Sequence, residues 1–252
     1  MQDIQNMPNA APPSPDPSFI YDLHSHTLCS DGVLTPEELV MRAEVRQIGA
    51  LAITDHDTTE ALDSALSCIQ SQNYKLKLVN GIEISTKWHG FEIHVVGLCI
   101  DPAASIFRDS MAIQLKHRTL RAKAVGEKLA KKGIEEAYEA ASALAGSDLV
   151  SRTHFAKVLL ERGVVSSFDA AFKKYLGKGK SCYVSPNWMD IETAVRIIKD
   201  ANGLAVLAHP IRYDLSNKWL TKLVAHFAEA GGDALEVGLS QMSPNQRQHL
   251  SR

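Results

Sequence analysis

Short apolar runs alternate with helix-start signals along much of this chain, and that alternation restricts the fold more than any other feature. Phe19-Ile20-Tyr21-Asp22-Leu23 reads as a strand. Thr35-Pro36-Glu37-Glu38 then opens a helix, with Thr35 as N-cap, Pro36 at N1 and Glu38 at N3. That helix is expected to run to about Gln47 and to be ended by Gly49. Ala50-Leu51-Ala52-Ile53-Thr54 is a second strand, followed by a helix over about 59–72 and strands over 76–84 and 91–98. The rhythm returns late in the chain. A helix over 190–201 is closed by Asn202-Gly203, and Leu204 to Ala208 form a buried strand. A helix over 216–230, Gly231-Gly232, a strand at 234–238 and a helix starting near Pro244 complete the pattern. Strands alternating with helices imply βαβ units and a mostly parallel sheet.

Between these halves the pattern is helical: 105–132, 135–145, 151–162 and 167–176. The first of these carries Lys116, His117, Arg118, Arg121, Lys123, Lys128, Lys131 and Lys132, a basic face. Residues 103–188 therefore read as an inserted helical subdomain, which leaves 19–102 and 189–252 as one discontinuous domain. Residues 1–18 hold five of the ten prolines and read as a disordered leader. With 45% hydrophobic and 22% charged residues the rest is of globular composition. A net charge of −2 argues against a protein that coats nucleic acid, and no stable DNA binding is expected. Neither a membrane-length apolar run nor a secretory signal is present, so the expected setting is the cytoplasm. Cys29, Cys68, Cys99 and Cys182 form no CxxC pair and read as reduced thiols.

Four groups of metal-ligand residue types fall at or in these strands. They are His24-Ser25-His26 with Asp31, Asp55-His56-Asp57, Glu83 with His94, and His209. Residues i and i+2 share a face of a strand, so His24 and His26 can address one ion. Glu83 lies between Ile82 and Ile84, and a carboxylate in so apolar a strand calls for a cation. Strand ends of βα barrels converge on one site, which would gather all four groups.

In order, the segments Asp22-Leu23-His24-Ser25-His26-Thr27, Ser30-Asp31-Gly32, Ile53-Thr54-Asp55-His56-Asp57-Thr58, Gly81-Ile82-Glu83-Ile84-Ser85, Glu92-Ile93-His94-Val95-Val96-Gly97 and Leu207-Ala208-His209-Pro210 resemble the PHP (polymerase and histidinol phosphatase) family. The branch they most resemble is the bacterial nucleoside 3′,5′-bisphosphate phosphatases, also described as 5′-to-3′ exoribonucleases. The resemblance spans about 19–252. It implies an α/β fold, a distorted seven-stranded βα barrel with the helical insertion capping the site. It also implies two or three divalent ions, with Mn²⁺ favoured and Fe²⁺ or Zn²⁺ as alternatives; the mixed N/O donor set suits these better than Mg²⁺. By resemblance, His24, His26 and Glu83 hold one ion, Glu83 bridges to a second held by His94 and His209, and Asp31 and His56 belong to a third. The family continues into an Asp-x-His motif that is missing here. Glu236 lies in the last strand but is not at that motif, so the expectation is a chain truncated at its C-terminus.

The implied activity is hydrolysis of the 3′-phosphate of nucleoside bisphosphates, or trimming of short RNA 5′ ends. Metal-activated hydroxide is the nucleophile, and no catalytic Ser or Cys is needed. Arg152, Lys180 and Arg212 are the candidate substrate-binding cations. A histidinol-phosphate-type phosphomonoesterase and a non-catalytic metal-binding remnant are the competing readings.

Overall fold

The structure is a computed structural model that describes residues 20–146, 149–213 and 215–238, with Ser243, Arg247 and Leu250. The expected leader (1–18), and all but isolated residues of the expected helix from Pro244, lie outside the described residues. β1 (Ile20–Ser25), β2 (Ile48–Ile53) and β3 (Lys77–Trp88) are mutually parallel, joined by α1 (Pro36–Val45) and α2 (Ala61–Ser71). The capping box at Thr35 forms as the sequence indicates: Glu38 N–H donates to Thr35 Oγ1, and Glu38 Oε2 accepts from Thr35 N–H. The helix end departs from expectation. Gln47, not Gly49, takes the left-handed position (φ 59°), and Gly49 is already inside β2.

Four of the six strand pairings among the described residues are parallel, as the alternation indicates, and one strand, running antiparallel to both its neighbours, makes the sheet mixed. β3 does not stop at Ile84 but continues to Trp88 and turns back through His89 (φ 46°) and Gly90 (φ 78°) into β4 (Phe91–Leu98). Two consecutive residues with positive φ make the hairpin turn that matches strand twist. β4 then pairs antiparallel with both β3 and β6 (Leu204–Leu207), and β6 pairs parallel with the two-residue β7 (Ala234–Leu235), shorter than the 234–238 expected. A short β5 (Met189–Asp190) joins the far end of β3. The order β1-β2-β3-β4-β6-β7 forms a curled half-barrel. On β3 and β4, Ile82, Ile84, Ile93 and Val95 face outward into a core with α7 (Ile191–Asp200) and α8 (Asn217–Glu229), while the alternate residues Glu83, Ser85 and His94 face the concave side.

The helical stretch contains α3 (Ser105–Ala130), α4 (Ala137–Ala145), α5 (Arg152–Glu161) and α6 (Phe168–Ala171). The last runs into a π-helical turn at Phe172–Leu176, which breaks the single helix expected over 167–176. Most of it packs in a cluster of its own around Val125, Leu129, Phe155 and Leu159. α3 belongs to both cores: Phe107 and Met111 pack on the barrel, Ala122 onward on α4 and α5. No described helix is long and apolar enough to cross a membrane.

Candidate metal centre

β1 ends at Ser25, so His24 and His26 leave it on one face. Their Nε2 atoms lie 3.2 Å apart. The chain then folds tightly over His26. A Cβ at Gly32 would stand 2.4 Å from the His26 carbonyl oxygen, so only glycine fits, and the turn brings Asp31 Oδ1 to 3.9 Å from both His26 Nδ1 and His56 Nε2. Buried Asp55 holds this loop by accepting Thr27 N–H at 2.7 Å and Ser30 Oγ–H. His56 follows β2 and pairs its backbone with Glu83 in β3.

Glu83 is the hub. Its side chain is 1% exposed and ringed by five imidazoles. Oε1 lies 2.9 Å from His94 Nδ1, 2.8 Å from His209 Nε2 and 3.5 Å from His24 Nε2; Oε2 lies 2.9 Å from His56 Nδ1 and 3.3 Å from His26 Nε2. Burial alone would raise its pKa, but these rings, His56 and His94 foremost, hold it well below the usual carboxylate range. Glu83 Oε2 and His56 Nδ1 are close yet make no well-formed hydrogen bond, and neither does His209 Nδ1. Buried polar atoms rarely stay unpaired. Glu83 and His56 belong to trios whose donor atoms all lie within 4.8 Å of one another: His24-His26-Glu83, His26-Asp31-His56 and His56-Glu83-His94. Imidazole nitrogens and carboxylate oxygens in this arrangement fit divalent transition-metal ions. Among the sequence-predicted ligands, the six residues His24, His26, His56, Glu83, His94 and His209 come together, with Asp31 at the edge.

His94 lies inside β4, as the strand expected over 91–98 implies, whereas Glu83, expected near the end of a strand over 76–84, sits in the middle of the longer β3.

Two cavities meet at Asp31, His56 and His94. One is the open cleft lined by the candidate ligands, with Arg212 also on its lining. The other, of about 200 Å³, runs between the sheet and α3–α5 and is lined by Arg118, Arg121, Arg152, Ser151, Thr153 and Trp188, among others. Glu92 Oε2 accepts from Arg152 at 3.0 Å and Oε1 from Arg121 at 2.9 Å. Burial pushes the Glu92 carboxyl up, but Arg152 and Arg121 outweigh it and bring it down to about 2. Thr153 Oγ1–H donates to Asp31 Oδ2 at 3.1 Å, so the start of α5 touches the cluster of candidate ligands directly. Lys180 is exposed and lines neither cavity. Three residues that the sequence reading names without a role at the site contribute to it: Arg118, which stacks on Trp188 and ion-pairs with Asp57; Glu92; and Glu236, whose Oε1 lies 2.6 Å from His24 Nδ1.

His154 sits at N3 of α5, 3% exposed, where its Nδ1 accepts from Ser151 N–H at 3.1 Å. Burial, with Lys157 and Arg118 nearby, lowers its pKa from 6.5 to about 4. A histidine held neutral stabilises the fold fully above its unfolded pKa and loses that contribution as pH falls from about 6.5 through about 4. His154→Gln keeps the cap acceptor without the titration. The difference in unfolding free energy between wild type and variant should therefore shift by up to roughly 3 kcal/mol between pH 7.5 and pH 4. Parallel urea melts with the same pH slope for both proteins would refute this.

The PHP domain family model matches residues 22–177. The chain is 51% identical over 234 residues to the 5'-3' exoribonuclease Rnm of Escherichia coli (strain K12), covering 93% of this chain and 80% of that one. It is 39% identical over 217 residues to the 3',5'-nucleoside bisphosphate phosphatase of Chromobacterium violaceum, covering 86% and 75%. Among solved structures, an amidohydrolase from Chromobacterium violaceum with bound sulfate and no metal superposes with a TM-score of 0.85 at 37% identity, over 90% of this chain and 80% of the other. A structure described as a metal-dependent phosphoesterase from Bifidobacterium adolescentis gives 0.81 at 28% identity, over 93% and 82%.

Proposed function

The chain belongs to the PHP domain family, and from that premise we propose that it is a cytoplasmic, metal-dependent phosphoesterase acting on nucleoside 3′,5′-bisphosphates and on the 5′ ends of short RNA. The observation that carries this reading is the buried Glu83 carboxylate ringed by five imidazoles, two of which, His56 and His94, also line the arginine-rich cavity beside it. In this reading His24, His26 and Glu83 hold one ion, Glu83 with His94 and His209 a second, and Asp31 with His56 a third. Mn²⁺ is the favoured ion, with Fe²⁺ or Zn²⁺ close behind. Divalent ions bound there supply Lewis acidity: they lower the pKa of water and neutralise charge on phosphoryl oxygens.

The chain's own part is to place the substrate. Arg152, oriented by Glu92 on the wall of the arginine-lined cavity, offers donors to a second phosphate, while Arg121, engaged through Nη1 and Nη2 by Glu92 and through Nε by Val184 O, holds Glu92 in place. Arg212 on the cleft lining suits a phosphate of the outgoing chain. The helical stretch 103–188 covers the site and narrows its entrance, and Thr153 secures it to Asp31.

The test compares adenosine 3′,5′-bisphosphate, short 5′-phosphorylated RNA and a simple phosphomonoester with Mn²⁺ present. Arg152→Ala should cut kcat/KM for the bisphosphate by roughly 10–100-fold, the value of a charge-assisted contact of about 1.5–3 kcal/mol, and spare the monoester. Equal losses on both substrates would sink the assignment of a second-phosphate subsite.

A further inference from the structure

We propose that Glu236 is a positioning residue of the metal centre, fixing the ring of His24 and the main chain of His209 with one carboxylate. The inference rests on the metal-centre reading above.

Glu236 directly follows β7, and its N–H donates to Leu207 O at 3.0 Å, which extends the β6–β7 pairing by one residue. From that place its two oxygens diverge. Oε1 lies 2.6 Å from His24 Nδ1, and Oε2 accepts from His209 N–H at 2.6 Å. These contacts join the first strand of the sheet to the loop after β6.

Each contact has a separate consequence. With Nδ1–H given to a carboxylate, the lone pair of His24 is placed on Nε2. That is the atom lying 3.2 Å from His26 Nε2 and 3.5 Å from Glu83 Oε1, at the centre of a ligand trio. A carboxylate behind a ligating histidine fixes its tautomer and ring orientation and raises its basicity. His209 has φ 29°, a conformation that non-glycine residues avoid and that surrounding structure must enforce. The charge-assisted bond from its N–H to Glu236 supplies part of that enforcement, together with Arg212 N–H donating to His209 O at 2.9 Å. His209 then presents Nε2 to Glu83 at 2.8 Å. Removing one carboxylate thus loosens two ligands, His24 and His209, that both face Glu83 Oε1.

The experiment uses the full chain, wild type and the variants Glu236→Gln and Glu236→Ala, with Mn²⁺ and Zn²⁺ as probes. Affinity for the tightest ion is read by calorimetric titration against a competing chelator. Folding is read by melting in excess chelator. Glu236→Gln is expected to weaken that ion by roughly 10–100-fold while the metal-free melt stays close to wild type. Nitrogen-detected NMR of the Zn²⁺-loaded wild type should show His24 protonated on Nδ1 and metallated through Nε2. A purely structural strand tie would not require that signature. Unchanged metal affinity in folded Glu236→Gln overturns the proposal. So does a wild-type His24 metallated through Nδ1, a readout that stands even if both variants fail to fold. If wild type binds neither ion, the metal-centre reading itself fails, which is distinguishable from a failure of Glu236 alone.

Discussion

Glu83→Gln should leave a folded protein that turns over phosphoesters at least about a hundredfold more slowly and no longer holds its full complement of divalent metal. The side chain keeps its shape and loses its charge. That charge is what five imidazoles surround: His94 and His209 at 2.9 and 2.8 Å from Oε1, His56 at 2.9 Å from Oε2, and His24 and His26 slightly farther out. Glutamine's amide nitrogen cannot act as a ligand where Oε2 now points toward His26 and His56. An outer partner of a metal ligand typically costs roughly 10–100-fold when removed, and under the proposed function, in which two ions share Glu83, the loss should exceed that. Metal content by mass spectrometry and kcat/KM in Mn²⁺ would be measured on the same preparations. Wild-type stoichiometry together with activity within tenfold would show that the imidazoles suffice and that Glu83 is not a ligand.

Glu83 was legible in the sequence because it violates its surroundings. An acid flanked by Ile82 and Ile84 must find a cation, and the strand's two-residue period sends it to the face opposite the isoleucines. His24 and His26 were legible for the same geometric reason. The hairpin was not: a helix was not needed between strands 76–84 and 91–98, but their antiparallel pairing depends on positive φ at His89 and Gly90, and His-Gly is a weak turn signal beside Asn-Gly. Glu236 was seen as an acid in a late strand, yet its partner His24 is 212 residues away. No local pattern encodes that contact.

Arg118 was misread for a different reason. The lysines and arginines of α3 were counted as one basic face, whereas spacing separates them. Phe107, Met111, Gln114, Arg118, Ala122, Val125 and Leu129 recur at intervals of three and four and are all buried. Gln114 and Arg118 are polar members of an apolar stripe, the same kind of exception that marks Glu83. The exposed lysines lie off it.

That exception carries the second large expected effect. Arg118→Met should lower the melting temperature of the metal-free protein by roughly 6–20 °C, from a cost of about 3–5 kcal/mol when one partner of a buried ion pair is removed and about 2–4 °C per kcal/mol at this chain length. Asp57 is fully buried, and Arg118 donates to it through Nε at 3.0 Å and through Nη2, while Nη2 also reaches Ser85 Oγ at 2.8 Å. Burial would raise the pKa of Asp57, but Arg118 and the Ser85 N–H, 2.8 Å from Oδ1, keep it low, so the carboxylate is charged. Without the guanidinium, the hydrogen bonds left to that charge among the described residues are Ser85 N–H and a long 3.4 Å contact to Gln114. Asp57 also holds a left-handed backbone (φ 56°) directly after His56, with its N–H on Glu83 O at 3.0 Å. The pair therefore fastens α3 to the loop carrying one candidate ligand and to the strand carrying another. Adding Asp57→Asn to Arg118→Met should recover part of the lost stability, because the largest cost is the unpaired charge rather than the missing contact. Melts in chelator of the two singles and the double decide it. If Arg118→Met melts within about 2 °C of wild type, or if the double is worse than the sum of the singles, the fastening is made by the apolar members of the stripe instead.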